Sequence, residues 1–236
     1  MTTVVISQPM YLPWPGFLAQ LSLADVVVWL NDAQFSKGSF TNRVQVNLPQ
    51  GKSWLSIPLE HKGSGKKITE LVAAKPDWLA GHVATLKQSL RGSAHLQEAL
   101  EVVLNLRRFD NLCDALVASS TDLANRCGIS PKTSFLSSDL NVSKRGSDRV
   151  LQIVKMLGGT RYVTGHGARN YLNHSAFQHE GIDVEYMNYN IKPWGFAEND
   201  FSPFVTGLDL LANVGSAQAA THLNPSTLHW QEFLEK

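Results

Sequence analysis

Net charge, cysteine and long apolar runs are all scarce in this chain of 236 residues. The formal net charge of +1 gives no electrostatic reason to expect nucleic acid or an anionic membrane surface as a partner. No apolar stretch approaches the roughly 20 residues that a membrane-spanning helix needs. We therefore expect neither a nucleic-acid partner nor a membrane span.

The two cysteines, Cys113 and Cys127, lie in a region of helical periodicity. This placement favours buried thiols in a reducing compartment over a disulfide or a nucleophile. The N-terminus has no basic region ahead of its short apolar run, so no secretory signal is expected. These features predict a cytoplasmic protein, and no metal site is predicted.

Five short apolar segments are typical of buried strands, and each is joined to the next through a helix or a helical insert. They cover residues 3–7, 25–30, 133–136, 160–164 and 182–186. The sequence therefore predicts an α/β fold with a largely parallel, Rossmann-like sheet. Alternating residues around 44–46 and 53–58 add a short antiparallel hairpin.

The segment between the second and third predicted strands changes character, because apolar residues there recur at helical spacing. It predicts a helical subdomain inserted into the sheet domain. The expected organisation is a discontinuous α/β domain over 1–75 and 130–215, a helical insert over 76–129 and a C-terminal tail over 216–236.

Polar and aromatic side chains follow the first two predicted strands. The carboxyl ends of parallel strands meet at one edge of a sheet, and ligands bind there. We therefore expect one crevice lined by Gln8, Tyr11, Trp14, Asn31, Asp32 and Gln34. The alternative is a proline-rich turn that only caps the first helix.

Cationic side chains follow the predicted crevice residues in the sequence. Arg43 follows Asp32 closely, so its guanidinium is predicted to face the crevice and to meet Asp32 or Gln34. Residues 61–67 form a basic loop with three lysines. This loop is either a solvated tip or a lid over an anionic ligand.

The fourth predicted strand is followed by a glycine-containing loop, Gly165-His166-Gly167. Such a loop can present backbone N–H groups to an anion. It matches neither the P-loop nor the dinucleotide fingerprint. His166 is either a general base or a loop residue that bonds the backbone, and we expect it within about 12 Å of Asp32, the span of a small substrate pocket.

The combined motifs closely resemble the WbqC-like family over roughly residues 4 to 215. They are Gln8-Pro9, Tyr11, Pro13-Trp14, Gly16, Ala24-Asp25, Asp32, Gln34-Phe35, Lys37, Asn42-Arg43, Tyr162, Gly165, Gly167-Ala168, Tyr171-Leu172, Gly181-Ile182, Val184 and the 208–211 helix. Ser7 and Asn31 stand where the family often has a histidine and a second carboxylate, and Trp194 stands where it often has a tyrosine.

The resemblance implies a place in bacterial surface-polysaccharide (O-antigen) biosynthesis. It favours an acyl- or aminoacyl-transferase that acts on a nucleotide-activated amino sugar. No single cofactor is assigned, and the candidates are an acyl-CoA or pantetheine thioester, or ATP in the ligase alternative below. The expected partner is a nucleotide-linked or phosphate-bearing small molecule, and a homodimer is compatible with the sequence.

In this hypothesis three residues act in catalysis. His166 is the general base, Asp32 orients it or the acceptor, and Arg43 stabilises phosphate or a developing oxyanion. The expected binding residues are Gln8, Tyr11, Trp14, Gly16, Gln34, Lys37, Asn42, Gly165, Gly167 and Tyr171.

Two alternatives stay open. The strand, proline-containing loop and helix at the N-terminus also fit an ATP-dependent ligase of nucleotidyltransferase-like layout, although the paired histidines of that signature are missing. Ser7 and Asn31, in place of more reactive side chains, fit a non-catalytic ligand-binding partner in a biosynthetic complex.

Overall fold

A computed structural model describes residues 1–195 and 201–236. Its strands are β1 (Thr3–Ser7), β2 (Val26–Trp29), β3 (Arg43–Leu48), β4 (Gly51–Ser56), β5 (Thr133–Leu136), β6 (Arg161–Thr164), β7 (Asp183–Met187) and β8 (Thr227–His229). Its α-helices are α1 (Pro15–Ser22), α2 (Trp78–Ser89), α3 (Leu96–Leu104), α4 (Leu112–Arg126), α5 (Gly146–Met156), α6 (His174–His179), α7 (Gly207–Val214), α8 (Ser216–Leu223) and α9 (Trp230–Glu235).

The central sheet has six strands in the order β5-β2-β1-β6-β7-β8. The first five are parallel and β8 runs antiparallel to β7. In register, Val4 of β1 lies between Val26 of β2 and Tyr162 of β6. The predicted α/β class and largely parallel sheet are confirmed, and so is the separate hairpin, formed by β3 and β4.

Both faces of the sheet are covered because successive side chains of a strand point to opposite sides. Val5 of β1 packs in a core with α1, the hairpin, α2 to α4, α7 and α8. Val4 and Ile6 pack in a second core with α5, α6 and α9. Helices α1 to α4, α7 and α8 thus cover one face, and α5, α6 and α9 cover the other, so the helices after β1 and β6 lie on opposite faces.

This change of face makes the boundary between β1 and β6 the topological switch point of the sheet. In open α/β sheets, ligands bind beyond the carboxyl ends of the strands at such a point. A ligand is therefore expected near the loops that leave β1 and β6.

The helical segment predicted over 76–129 is formed by α2, α3 and α4. Leu86, Leu100 and Leu116 from these helices belong to the same core as Val5 of the sheet. The apolar core thus continues from the sheet into the helices. No helix in the described ranges is long and apolar enough to cross a membrane.

Residues 216–236 contain regular secondary structure, whereas only a C-terminal tail was predicted for them. They form α8, the edge strand β8 and α9. The three-residue β8 was not predicted, because a segment that short carries no clear periodicity and depends on its pairing with β7, as in Tyr186 opposite Leu228.

Candidate functional site

The loops predicted to form the site leave the sheet at the same edge. Gln8 follows β1, Asp32 follows β2 by three residues and His166 follows β6 by two. The strand order places β1 directly between β2 and β6, so these two strands are roughly 10 Å apart at a spacing of about 4.8 Å. The three loops therefore leave neighbouring parallel strands at one edge, while the expected distance between the Asp32 and His166 side chains stays a prediction.

Three aromatic rings join the loops at the switch point. The ring centroid of Tyr189, just after β7, lies 4.7 Å from that of Trp14 and 4.9 Å from that of His166. The hydroxyl of Tyr189 would lie 3.1 Å from a Cβ placed on Gly165. Burial raises the pKa of Tyr189 to about 12, so its hydroxyl stays protonated and can donate a hydrogen bond at neutral pH.

His166 is exposed and has a defined orientation. Its Nε2 lies 2.7 Å from the carbonyl oxygen of Met187, at the end of β7. A carbonyl only accepts hydrogen bonds, so Nε2 carries a proton and donates it. In the neutral imidazole, Nδ1 therefore holds the free lone pair. The ring also contacts Phe233 of α9, with a centroid distance of 4.8 Å.

A second polar group lies where β2 and β5 end. Arg149 Nη2 donates to Asp32 Oδ2 at 2.7 Å, and the Ser137 hydroxyl donates to Asp32 Oδ1. Asn31 Oδ1 accepts from the backbone N–H of Ser138 at 3.1 Å. All of these residues except Asn31 border a cavity of about 300 Å³. The cavity is lined by Asp32, Ser137, Ser138, Asn141, Val142, Ser143 and Arg149.

The charge state of Asp32 follows from these contacts. Partial burial acts to raise the pKa of Asp32, but the hydrogen bonds from Arg149 and Ser137, with the charge of Arg149, outweigh it. The pKa of this carboxyl therefore lies below its ordinary value, and Asp32 is ionised at neutral pH.

The predicted contact of Arg43 is wrong. Its Nη2 donates to the carbonyl oxygen of Gly38 at 2.5 Å, and its guanidinium carbon lies 4.0 Å from the centroid of the Trp54 ring. Arg149 is the partner of Asp32 instead. The available signal was that Arg149 falls near the start of the helix after the third parallel strand, hence near the same edge.

Tyr11 and Gly16 have packing roles. Tyr11 is 1% exposed, and its hydroxyl lies 2.8 Å from Nδ1 of His82, so its side chain is packed inside the protein and not on an open crevice. His82 is also buried. A Cβ on Gly16 would lie 2.2 Å from the Trp14 ring, so Gly16 is needed for the position of Trp14.

The remaining predicted binding residues lie either at the carboxyl edge of the central sheet or near the β3–β4 hairpin. Gln8 Oε1 accepts from the Thr41 hydroxyl at 3.2 Å, and Asn42 Nδ2 donates to the Ile57 carbonyl at 2.9 Å. Gln34 is exposed and forms a backbone bridge with Lys67. The other three predicted binding residues are all exposed. Lys37 lies beside Arg43, and Gly167 and Tyr171 follow β6.

Sequence reasoning left Tyr189 and Gln20 out of the site. Gln20 Nε2 donates to the Val163 carbonyl at 3.1 Å and ties α1 to β6. Tyr189 directly follows the last parallel strand, so the rule that picked out Gln8 and Asp32 applied to it as well. Gln20 had no such signal, because it lies within a helix.

Metal-binding side chains do not cluster in the part of the chain that the structure describes. No group of three or more His, Cys, Asp or Glu residues there could hold a metal ion.

Comparison with known proteins gives a family. The WbqC-like protein family model matches residues 8–221. The chain belongs to this family. It is also 28% identical over 243 aligned positions to a protein of Mycobacterium tuberculosis (strain ATCC 25618 / H37Rv) that bears the name "Uncharacterized protein Rv1507c". That match covers 94% of this chain and 98% of the relative. No solved structure matches the chain significantly.

Proposed function

We propose that this WbqC-like protein is a cytoplasmic transferase that attaches an acyl or aminoacyl group to a nucleotide-activated amino sugar, for bacterial surface polysaccharide. The observation that carries the proposal is the geometry of His166. This exposed imidazole stands beside the switch point, and its Nε2–H donates to the Met187 carbonyl at 2.7 Å. Nδ1 is thereby left as a proton acceptor of fixed orientation.

The proposed reaction uses His166 as the general base. As the amine nitrogen of the sugar attacks the donor's carbonyl carbon, Nδ1 of His166 takes the proton that the nitrogen loses. A C–N bond forms, the C–S bond of the thioester breaks and the thiolate leaves, and the proton then passes to it. The Met187 carbonyl stabilises the imidazolium that exists between these steps.

Asp32 has a different role in this proposal. Its pKa lies below the ordinary carboxyl value, so it is a weaker base than a free carboxylate and a poor proton acceptor at neutral pH. An ionised carboxylate held by Arg149 can instead accept hydrogen bonds from sugar hydroxyls, as can the hydroxyls of Ser137 and Ser138. We assign Asp32 and Arg149 to acceptor positioning.

The switch point supports a nucleotide-linked substrate. Doubly wound sheets bind nucleotides beyond the carboxyl ends of their strands at the point where the strand order reverses. Trp14 and Tyr189 lie at this point and present aromatic surface on which a planar base can pack.

The same strand order supports one other function, an ATP-dependent ligase. The two reactions differ in products, because a ligase that activates a carboxylate as an adenylate releases pyrophosphate and a thioester-dependent transferase releases a free thiol. Binding without either product would indicate the non-catalytic partner.

The decisive experiment compares His166→Gln with the wild-type protein. The protein is incubated with acetyl-CoA, or with ATP and acetate, together with a panel of uridine- and thymidine-diphosphate amino sugars, and thiol and pyrophosphate release are recorded. Glutamine can still donate to the Met187 carbonyl but cannot accept a proton. We expect turnover to fall by about 10²- to 10⁴-fold, with nucleotide-sugar binding and melting temperature nearly unchanged.

The matched control is His179→Gln, because His179 is also exposed but lies at the end of α6. It should leave turnover unchanged. Full activity in His166→Gln, or equal losses in both variants, would rule out His166 as the base.

A further inference from the structure

A cationic pocket lies beside the β3–β4 hairpin, apart from His166. It has a volume of about 350 Å³ and is lined by Phe35, Lys37, Gly38, Asn42, Arg43, Ser56, Pro58, Leu59 and Lys62. Three of these residues are cations, and none of the described residues that line the pocket is acidic. Like charges that converge without a counter-charge repel one another, so this arrangement is stabilised when an anion binds.

Arg43 is fixed in this pocket by the protein. Its guanidinium lies over the Trp54 ring, and Nη2 donates to the carbonyl of Gly38, a residue with φ of +87°. Its Nε is buried and has no acceptor among the described residues. A guanidinium fixed by these contacts loses little entropy when it binds an anion, and its planar fork fits phosphate oxygens.

Lys62 is held at the pocket by unusual backbone geometry. His61, Lys62 and Gly63 have φ of 48°, 56° and 65°, and left-handed conformation costs a non-glycine residue roughly 1–2 kcal/mol. A Cβ on Gly63 would lie 2.7 Å from the Phe35 ring, so the turn packs tightly on the segment after β2. The backbone N–H of Phe35 donates to the Lys66 carbonyl at 2.9 Å, which ties the far end of the loop to that segment.

We propose that this pocket is a binding site for a phosphate-class anion of pyrophosphate size. Lys37 and Lys62 come from separate loops and Arg43 from the hairpin, so cations approach a central anion from three segments. The volume lies at the small end of ligand pockets. The site goes beyond the proposed reaction, because it does not include His166 and its occupancy does not require turnover.

Calorimetric titration of the full chain with inorganic pyrophosphate at low ionic strength tests the site. The test variants are Lys37→Gln and Lys62→Asn, since asparagine tolerates left-handed backbone. Each should weaken binding about two- to fivefold, the range of one exposed ion pair, and the double variant should weaken it by about the product. Affinity should also fall as salt is raised.

The control is Lys87→Gln, an exposed lysine of α2 that does not line the pocket. It should leave the affinity unchanged. No detectable pyrophosphate binding, or an equal loss in Lys87→Gln and Lys62→Asn, would overturn the proposal.

One further titration identifies the source of the anion, and a second tests whether the site is independent of His166. If uridine diphosphate competes with pyrophosphate, the pocket takes the diphosphate of a nucleotide, and if it does not, the pocket takes the free anion. His166→Gln should bind pyrophosphate as the wild type does. This separates the anion site from the transferase, because either can fail while the other stands.

Discussion

Arg149 Nη2 lies 2.7 Å from Oδ2 of Asp32, so a residue in the first turn of α5 neutralises the carboxylate that follows β2. The two side chains are 16% and 24% exposed. This ion pair joins elements that precede and follow the α2–α4 segment in the sequence. It keeps Asp32 charged at the edge of the proposed site.

Loss of this carboxylate should destabilise the protein. Asp32→Asn leaves Arg149 partly buried without its counter-charge, and we expect unfolding to become easier by about 1–3 kcal/mol at pH 7. Urea denaturation measures this. Asp183→Asn, at an exposed position of β7, is the control and should change stability by less than about 0.5 kcal/mol.

Asp32→Asn should also change how the free energy of unfolding depends on pH in acid. The pKa of Asp32 in the folded protein is lowered from 3.8, so its contribution is complete above pH 3.8 and is lost as the pH falls through the lower folded value. Asp32→Asn should lose less stability than the wild type below that pH. Parallel acid profiles of the two proteins would contradict the lowered pKa.

His82 should give the protein a second pH dependence. Burial lowers the pKa of His82 from 6.5 to about 4. Between these values the unfolded chain binds a proton here and the folded protein does not, so stability falls as the pH falls. The loss should reach roughly 3 kcal/mol by pH 4.

His82→Gln tests this slope. Glutamine can accept from the Tyr11 hydroxyl and donate to the Ser56 carbonyl, the two partners of His82, but it does not titrate. Denaturation between pH 7 and 4 should be flatter for this variant than for the wild type. Identical slopes would mean that His82 becomes protonated in the folded state.

Two glycines should respond in opposite ways to alanine. Gly16→Ala places a methyl group on the Trp14 ring and should destabilise the protein by about 1–3 kcal/mol, the usual cost of overpacking, with a change in tryptophan fluorescence. Gly81 lies in α2, where a Cβ meets nothing within 4 Å. Gly81→Ala should therefore stabilise the protein by about 0.5–1 kcal/mol. A neutral Gly16→Ala would show that Trp14 can move freely.

Alanine substitutions at the two glycines beside His166 should distinguish a contact with the protein from a contact with a ligand. A Cβ on Gly165 would lie 3.1 Å from the Tyr189 hydroxyl, whereas one on Gly167 would meet no protein atom within 4 Å. Gly165→Ala should thus shift Tyr189 and weaken nucleotide-sugar binding, with little change in melting temperature. Weaker binding in Gly167→Ala would indicate that a ligand lies against that loop, and unchanged binding in both would remove this loop from the site.

Local patterns predicted much of the fold. The apolar runs of β1, β2, β5, β6 and β7 carried strand signals because burial on both faces of a parallel sheet selects apolar side chains throughout. Polar residues at the ends of those strands, such as Gln8 and Asp32, marked the edge of the sheet. Both signals depend only on near neighbours in the chain, so the sequence by itself was enough to detect them.

The contacts of the site could be decided only in three dimensions. Arg149 meets Asp32 across 117 residues, and sequence spacing alone favoured the nearer Arg43. Arg43 points elsewhere because the Gly38 carbonyl accepts its hydrogen bond and Trp54 offers an aromatic face. The direction of a long side chain depends on such competing partners, which spacing along the chain does not reveal.

The strand order was decided in the same way. The order β5-β2-β1-β6-β7 creates the switch point that brings Trp14, His166 and Tyr189 together. Apolar runs of similar length can pair in several orders, and the choice depends on which helices cover each face. The sequence therefore determined that polar groups would gather at one edge, and tertiary packing decided which of them touch.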